Sequence, residues 1–159
     1  MARCATFFCF DFLEIVLVSK AHPNNFGFWY QSVTREYYDD LEYLRSIPKM
    51  LKPWEFKVTT LADPQDFWAV LESVVPDILI LEINIPQING LKLCQSLRSS
   101  IDWQRLPVLF LSVITDLNTQ NLAFGVGADD YLCKPIIGSD LANRIHNRLQ
   151  RVRAYSNLR

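Results

Sequence analysis

Apolar residues recur along this chain with two spacings in turn, which predicts strands alternating with helices. Leu13–Ser19, "LEIVLVS", is a short β-branched run and reads as a first strand. Pro23, Asn24, Asn25 and Gly27 then mark a loop. From Trp29 to about Ile47 the apolar positions Tyr30, Val33, Tyr37, Leu41 and Leu44 keep a helical period, and Pro48 and Pro53 are expected to close the segment. Glu55–Ala62 reads as a second strand. Asp63 as N-cap, Pro64 at the first helical position and Asp66 in the first turn predict a helix through "DPQDFWAVLESVV". Asp77–Ile83, "DILILEI", is a continuous apolar run, as in a strand covered on both faces. A helix at Leu91–Ser100, a strand at Pro107–Val113, a helix at about Asn118–Phe124 and a strand at Asp130–Cys133 come next. The last helix begins near Ser139 and carries the stripe Leu141, Ile145, Leu149 and Val152.

Strand and helix thus repeat five times, which argues for an α/β fold of βαβ units around a parallel sheet. In such sheets ligands gather beyond the carboxyl ends of the strands, where strand order reverses. The predicted crevice is formed by Ser19 and Lys20 after strand one, Glu82 at the end of strand three, Ser112 at the end of strand four and Lys134 after strand five. Glu82 is the conspicuous member: an apolar run ends on this acid and meets a loop made by Pro86 and Gly90.

Composition narrows the function classes. With 159 residues, half of them hydrophobic, the chain can bury one full core. Sixteen basic residues against seventeen acidic ones give a net charge of −1, so no overall field draws the molecule to nucleic acid or to an anionic membrane. Arg144, Arg148, Arg151, Arg153 and Arg159 make the C-terminal stretch locally basic and read as a solvated helix face. Cys4, Cys9, Cys94 and Cys133 have no C-x-x-C spacing and read as reduced thiols of a cytoplasmic protein. The N-terminal run "CATFFCF" is too short to span a bilayer, and Asp11 and Glu14 interrupt the apolar residues beyond it. Residues 1–12 are therefore expected to form an arm or strand extension, 13–153 the domain and 154–159 a tail. His22 is too isolated for a metal site, and His146 reads as a surface helix residue.

Three stretches together resemble the receiver domain of bacterial two-component response regulators. "PDILILEINIPQINGLKLCQSLR" is similar to that family's "PDLILLDxxMPxMDGLELxxxLR", "LPVLFLS" to its "xPVIxLT/S", and "GADDYLCKPIIGSDLANRI" to its "GADDYLxKPFxxxELxxRI". The resemblance covers roughly Leu13 to Val152. It implies a doubly wound (βα)5, flavodoxin-like parallel sheet of strand order 2-1-3-4-5. It also implies phosphoryl transfer to an Asp at the end of strand three, with Mg²⁺ held by two acids after strand one. Glu82 stands at the phosphoacceptor position, Ser112 and Tyr131 at the switch positions, and Lys134–Pro135 where the family carries its pocket lysine and a cis peptide bond. Asp129, Asp130, Arg144 and Arg148 resemble the charged face through which many members dimerise.

The departures set the functional expectation. Glu82 is one methylene longer than Asp, and a misplacement of about 1 Å can cost roughly a hundredfold in rate. The acid pair falls on Ser19 and Lys20, or on Lys20 and Ala21 if Pro23 sets the register, and no Asp or Glu occurs from Ile15 through Arg35. The resemblance with these losses implies a pseudo-receiver without a bound metal or cofactor. It would act through protein partners (a histidine kinase, an output domain or another regulator, or a second copy) without direct nucleic-acid or membrane contact. Glu82 is expected to pair with Lys134, Lys20 or both, since a buried acid needs a partner; a mimic of the phosphorylated state is the alternative. A residual phosphoacceptor and a small-ligand module are the rival functions, the latter weakened by the absence of a Gly-rich loop after strand one. Trp29, Tyr30, Tyr37, Tyr38 and Tyr43 exceed one buried stripe and suggest an apolar partner surface, beside an extended segment Glu36–Trp54.

Overall fold

The computed structural model describes residues 15–20, 40–61, 63–85 and 87–156, with only the backbone given for a few of them, Lys20 and Asp40 included. Its elements are β1 (Ile15–Lys20), α1 (Asp40–Leu51), β2 (Phe56–Leu61), α2 (Phe67–Val74), β3 (Ile78–Leu81), β4 (Asn84–Ile85), β5 (Ile88–Asn89), α3 (Gly90–Ser99), β6 (Val108–Ser112), α4 (Leu117–Gly125), β7 (Asp130–Cys133) and α5 (Gly138–Ser156). Five strands form one sheet in the order β2-β1-β3-β6-β7, the expected doubly wound order, while β4 and β5 make a separate small ribbon.

The sheet divides two cores, and its strands are apolar because both faces are covered. Ile15, Leu17, Leu79, Leu81, Val108 and Phe110 face one core, with Phe67, Leu71, Cys94 and Leu97 from the helices. Val16, Val18, Ile78, Ile80, Leu109 and Leu111 face the other, with Ile47, Leu51, Leu141 and Ile145. Successive β1 side chains therefore feed opposite cores. Ile15, Val16, Leu17 and Val18 are each buried, a gain of about 1.5–3 kcal/mol per side chain over leaving it in water.

One strand departs from the all-parallel expectation. β3, β6 and β7 run parallel, but β1 is antiparallel to both of its neighbours, β2 and β3. Ile15 lies opposite Leu81, and Lys20 lies opposite Phe56. The physical reason is that "IVLV" presents apolar residues to both faces in either direction, so burial does not select its polarity.

Helix ends also differ from the expected ones. The predicted start of the first helix, from Trp29, lies outside the described residues, as do His22 and the arm at 1–12. Pro48 does not end α1; the helix continues to Leu51 because Ile47 and Leu51 are both fully buried. The segment closes instead after a 3-10 turn through Pro53, at Glu55, whose φ is 58°. Asp63 caps a short 3-10 turn, accepting the Gln65 N–H at 2.8 Å, and α2 proper begins at Phe67. α5 runs on to Ser156, into the expected tail.

Candidate functional site

β3 is four buried residues, Ile78–Leu81, and Glu82 comes directly after it. Its side chain remains 7% exposed, so the carboxylate has little water and must be satisfied by the protein. Both oxygens are engaged. Oε1 accepts the N–H of Ile83 at 2.7 Å, and Oε2 meets Lys134 Nζ at 3.0 Å. Lys134, 5% exposed, is delivered by the end of β7, where its N–H donates to the Ser112 carbonyl at 2.9 Å and a cis peptide joins it to Pro135.

The loop after Glu82 is held equally closely. Gly90 donates its N–H to the Ile83 carbonyl at 2.9 Å, and a Cβ on Gly90 would collide with the Glu82 carbonyl oxygen. Only glycine allows that approach. Asn89 caps α3 by accepting from the N–H groups of Leu91 and Lys92 at 2.9 and 3.2 Å. The ribbon β4–β5 between Glu82 and Gly90 turns through Gln87 at φ 66°, so the expected loop at Pro86 and Gly90 contains a short antiparallel pair.

Ser112, fully buried at the end of β6, accepts the Ile114 N–H on Oγ at 3.3 Å. Tyr131 is folded inward, its ring 6.3 Å from that of Phe110 and its hydroxyl donating to the Ile114 carbonyl at 2.8 Å. Burial pushes the Tyr131 hydroxyl above its ordinary pKa, and a hydrogen bond with Ser112 opposes the shift. Ser112 and Tyr131 thus grip the same residue of the β6–α4 loop.

The sheet therefore gathers Glu82, Ser112, Tyr131 and Lys134 at one end. It does not bring Ser19 and Lys20 there. Because β1 is reversed, Ser19 faces Lys57 and Lys20 faces Phe56, at the far end of the sheet from Glu82. Ser19 and Lys20 are not the acid-pair positions of this crevice, and Lys20 is not the partner of Glu82. Asp129 accepts from Arg98 Nη2 and from the Val108 N–H, both at 2.9 Å. Asp130 pairs within the chain with Arg144 at 3.3 Å and Arg148 at 3.9 Å. His146 is half-buried against Phe56, the rings 4.8 Å apart.

At this end of the sheet the Lys134 ammonium faces the Glu82 carboxylate. Among the described residues no three His, Cys, Asp or Glu side chains are grouped to hold a metal, and no helix is long and apolar enough to cross a membrane. Cys94 is buried and Cys133 exposed, both as free thiols.

Comparison with known proteins is decisive at the family level. The profile described as "Response regulator receiver domain" matches residues 38–146. The chain belongs to that family. Protein RcaC of Microchaete diplosiphon is 68% identical over 119 residues, 75% of this chain and 18% of that protein. Response regulator protein GraR of Staphylococcus aureus is 30% identical over 114 residues, 72% of this chain and 50% of that protein. The chain thus spans half or less of the length of these curated relatives. The crystal structure of a putative response regulator from Chloroflexus aurantiacus is 28% identical, with a TM-score of 0.65, covering 70% of this chain and 92% of that one. The receiver-domain match starts 18 residues after the end of β1 and opens on Tyr38, Asp39 and Asp40, the last being the first residue of α1.

Proposed function

We propose that this receiver is a pseudo-receiver of two-component signalling, in which an internal Glu82–Lys134 ion pair stands where the family forms its phosphoryl site. The observation that carries the reading is the engagement of both Glu82 oxygens, one by Lys134 Nζ and one by the Ile83 N–H. A carboxylate so held is a poor nucleophile, since attack requires breaking a buried, charge-assisted contact. Asp39 and Asp40 take the place of the acid pair in this reading, by their place in the sequence, with Asp40 opening α1 and both at the head of the family match. The loss of efficient phosphorylation then rests on Glu82 alone, not on missing acids.

The same geometry supports a state fixed by charge already in place. Glu82 gives Lys134 an anionic partner without phosphate, while Tyr131 is inward and bonded to Ile114. Regulation would then come from a protein partner: a histidine kinase, an output domain or another regulator.

The test is exposure of the protein and of Glu82→Asp to Mg²⁺ and a small acyl-phosphate donor, read by intact mass. The wild-type chain is expected to gain no phosphoryl group and the Asp variant to gain one. A Mg²⁺-dependent gain on Glu82 in the wild type would restore the phosphoacceptor reading.

A further inference from the structure

The two ends of α4 are held very differently. At the end that leads into β7, two side chains one turn apart on α3, Cys94 and Arg98, hold the connecting residues. The Cys94 thiol donates to the Val126 carbonyl at 3.7 Å, and Arg98 Nε donates to the Gly127 carbonyl at 2.8 Å. Arg98 Nη1 reaches the Leu106 carbonyl at 2.8 Å and Nη2 the Asp129 carboxylate at 2.9 Å, which also takes the Val108 N–H. One guanidinium thus clasps α3, the approach to β6 and the approach to β7, a task for its rigid fork of donors. Gly127, at φ 98°, lets the clasp close, since a Cβ there would stand 2.9 Å from the Arg98 side chain. Ala123, the one buried residue of α4, lies in this half of the helix.

The end that follows β6 has weaker support. Leu117 is 73% exposed. Among the described residues, the side-chain hydrogen bonds of Asp116, Thr119 and Gln120 stay within residues 115–120. The tie to the sheet runs through Ile114, half-buried against the core, whose N–H donates to Ser112 Oγ at 3.3 Å and whose carbonyl accepts from the Tyr131 hydroxyl at 2.8 Å.

We propose that the Arg98 clasp makes the α4–β7 connection a fixed pivot, so that α4 opens from its Leu117 end while its Gly125 end stays in place. Opening the Leu117 end breaks two neutral hydrogen bonds, both on one residue. Opening the other end breaks charge-assisted bonds, which are roughly twice as strong, and uncovers Ala123. Local opening follows the cheaper route. A partner that sets the state of this domain would act on the Leu117 end; that step rests on the pseudo-receiver reading, and the pivot does not.

The test reads backbone amide exchange of the full chain by NMR, at one pH and corrected for intrinsic rates. The Ile114 and Gln120 amides report the Leu117 end, those of Val126, Gly127 and Ala128 the pivot, and that of Leu79 in β3 the whole fold. In the wild type the pivot amides are expected to exchange at least about tenfold more slowly than Ile114 and Gln120. Tyr131→Phe is expected to speed Ile114 and Gln120 about threefold or more and to leave the pivot within about twofold. Arg98→Met is expected to speed the pivot amides about threefold or more beyond any change at Leu79. Arg98→Lys keeps the charge beside Asp129 but loses the fork; it should do the same to a smaller extent, and carries the test should Arg98→Met not fold. Equal protection at both ends of α4 in the wild type would overturn the pivot. So would a Tyr131→Phe change spread evenly along α4, or arginine variants that move Leu79 as much as Val126, Gly127 and Ala128.

Discussion

Removing Lys134 is the perturbation that tests the crevice most directly. At 3.0 Å the Glu82–Lys134 attraction is about 5 kcal/mol at an effective dielectric of about 20. Much of that is offset by taking two ions out of water. Lys134→Met removes the attraction and leaves the desolvation of Glu82 in place, with the Ile83 N–H still bonded to Oε1. The expected loss is about 3–5 kcal/mol, the usual consequence of orphaning one member of a buried pair. Glu82→Leu removes the same attraction from the Lys134 side. The double variant carries no unpaired ion and is expected to recover most of the loss, with a coupling energy of about 2 kcal/mol or more. Urea unfolding followed by circular dichroism measures all four proteins, with equal slopes required for the comparison. Single losses below about 1 kcal/mol that add in the double variant would refute the reasoning, because they are what a solvated surface pair gives.

Three further outcomes rest on the same geometry. Gly90→Ala drives a methyl group into the Glu82 carbonyl, so a loss of about 2 kcal/mol or more is expected in urea unfolding, and unchanged stability would show that this approach is not tight. Arg98→Met breaks bonds to the Gly127 and Leu106 carbonyls, each 2.8 Å, and the 2.9 Å pair with Asp129; about 1–3 kcal/mol should be lost, and a change within about 0.5 kcal/mol would reduce the clasp to surface decoration. Asp116 caps α4, and bonds from the Thr119 N–H and hydroxyl hold its carboxyl below the usual aspartate range. A lowered pKa gives stability that is present above the unfolded value and lost as pH falls through the folded one. Melting temperature should therefore fall more steeply in the wild type than in Asp116→Asn between about pH 4 and pH 2, and parallel profiles would count against the cap.

The reversed strand shows where sequence reasoning stops and why. An apolar run such as "ILIL" in β3 reads the same in both directions, yet its polarity was legible because of its flanks. Glu82 comes at once after it, Gly90 locks the turn, and a short ribbon leads straight into α3. Ser112 and Lys134 were legible for the same reason: each sits at the end of a short strand joined by short loops, so its end of the sheet is dictated covalently. β1 has no such restraint. Its 19-residue connection permits either direction, and burial of Ile15, Val16, Leu17 and Val18 rewards both equally. Direction is a property of loops, and a pattern of apolar positions carries none of it. The misplacement of Ser19 and Lys20 stems from that single gap. The pocket residues that depend on local chain geometry were therefore readable, and the ones that depend on the path of a long connection were not.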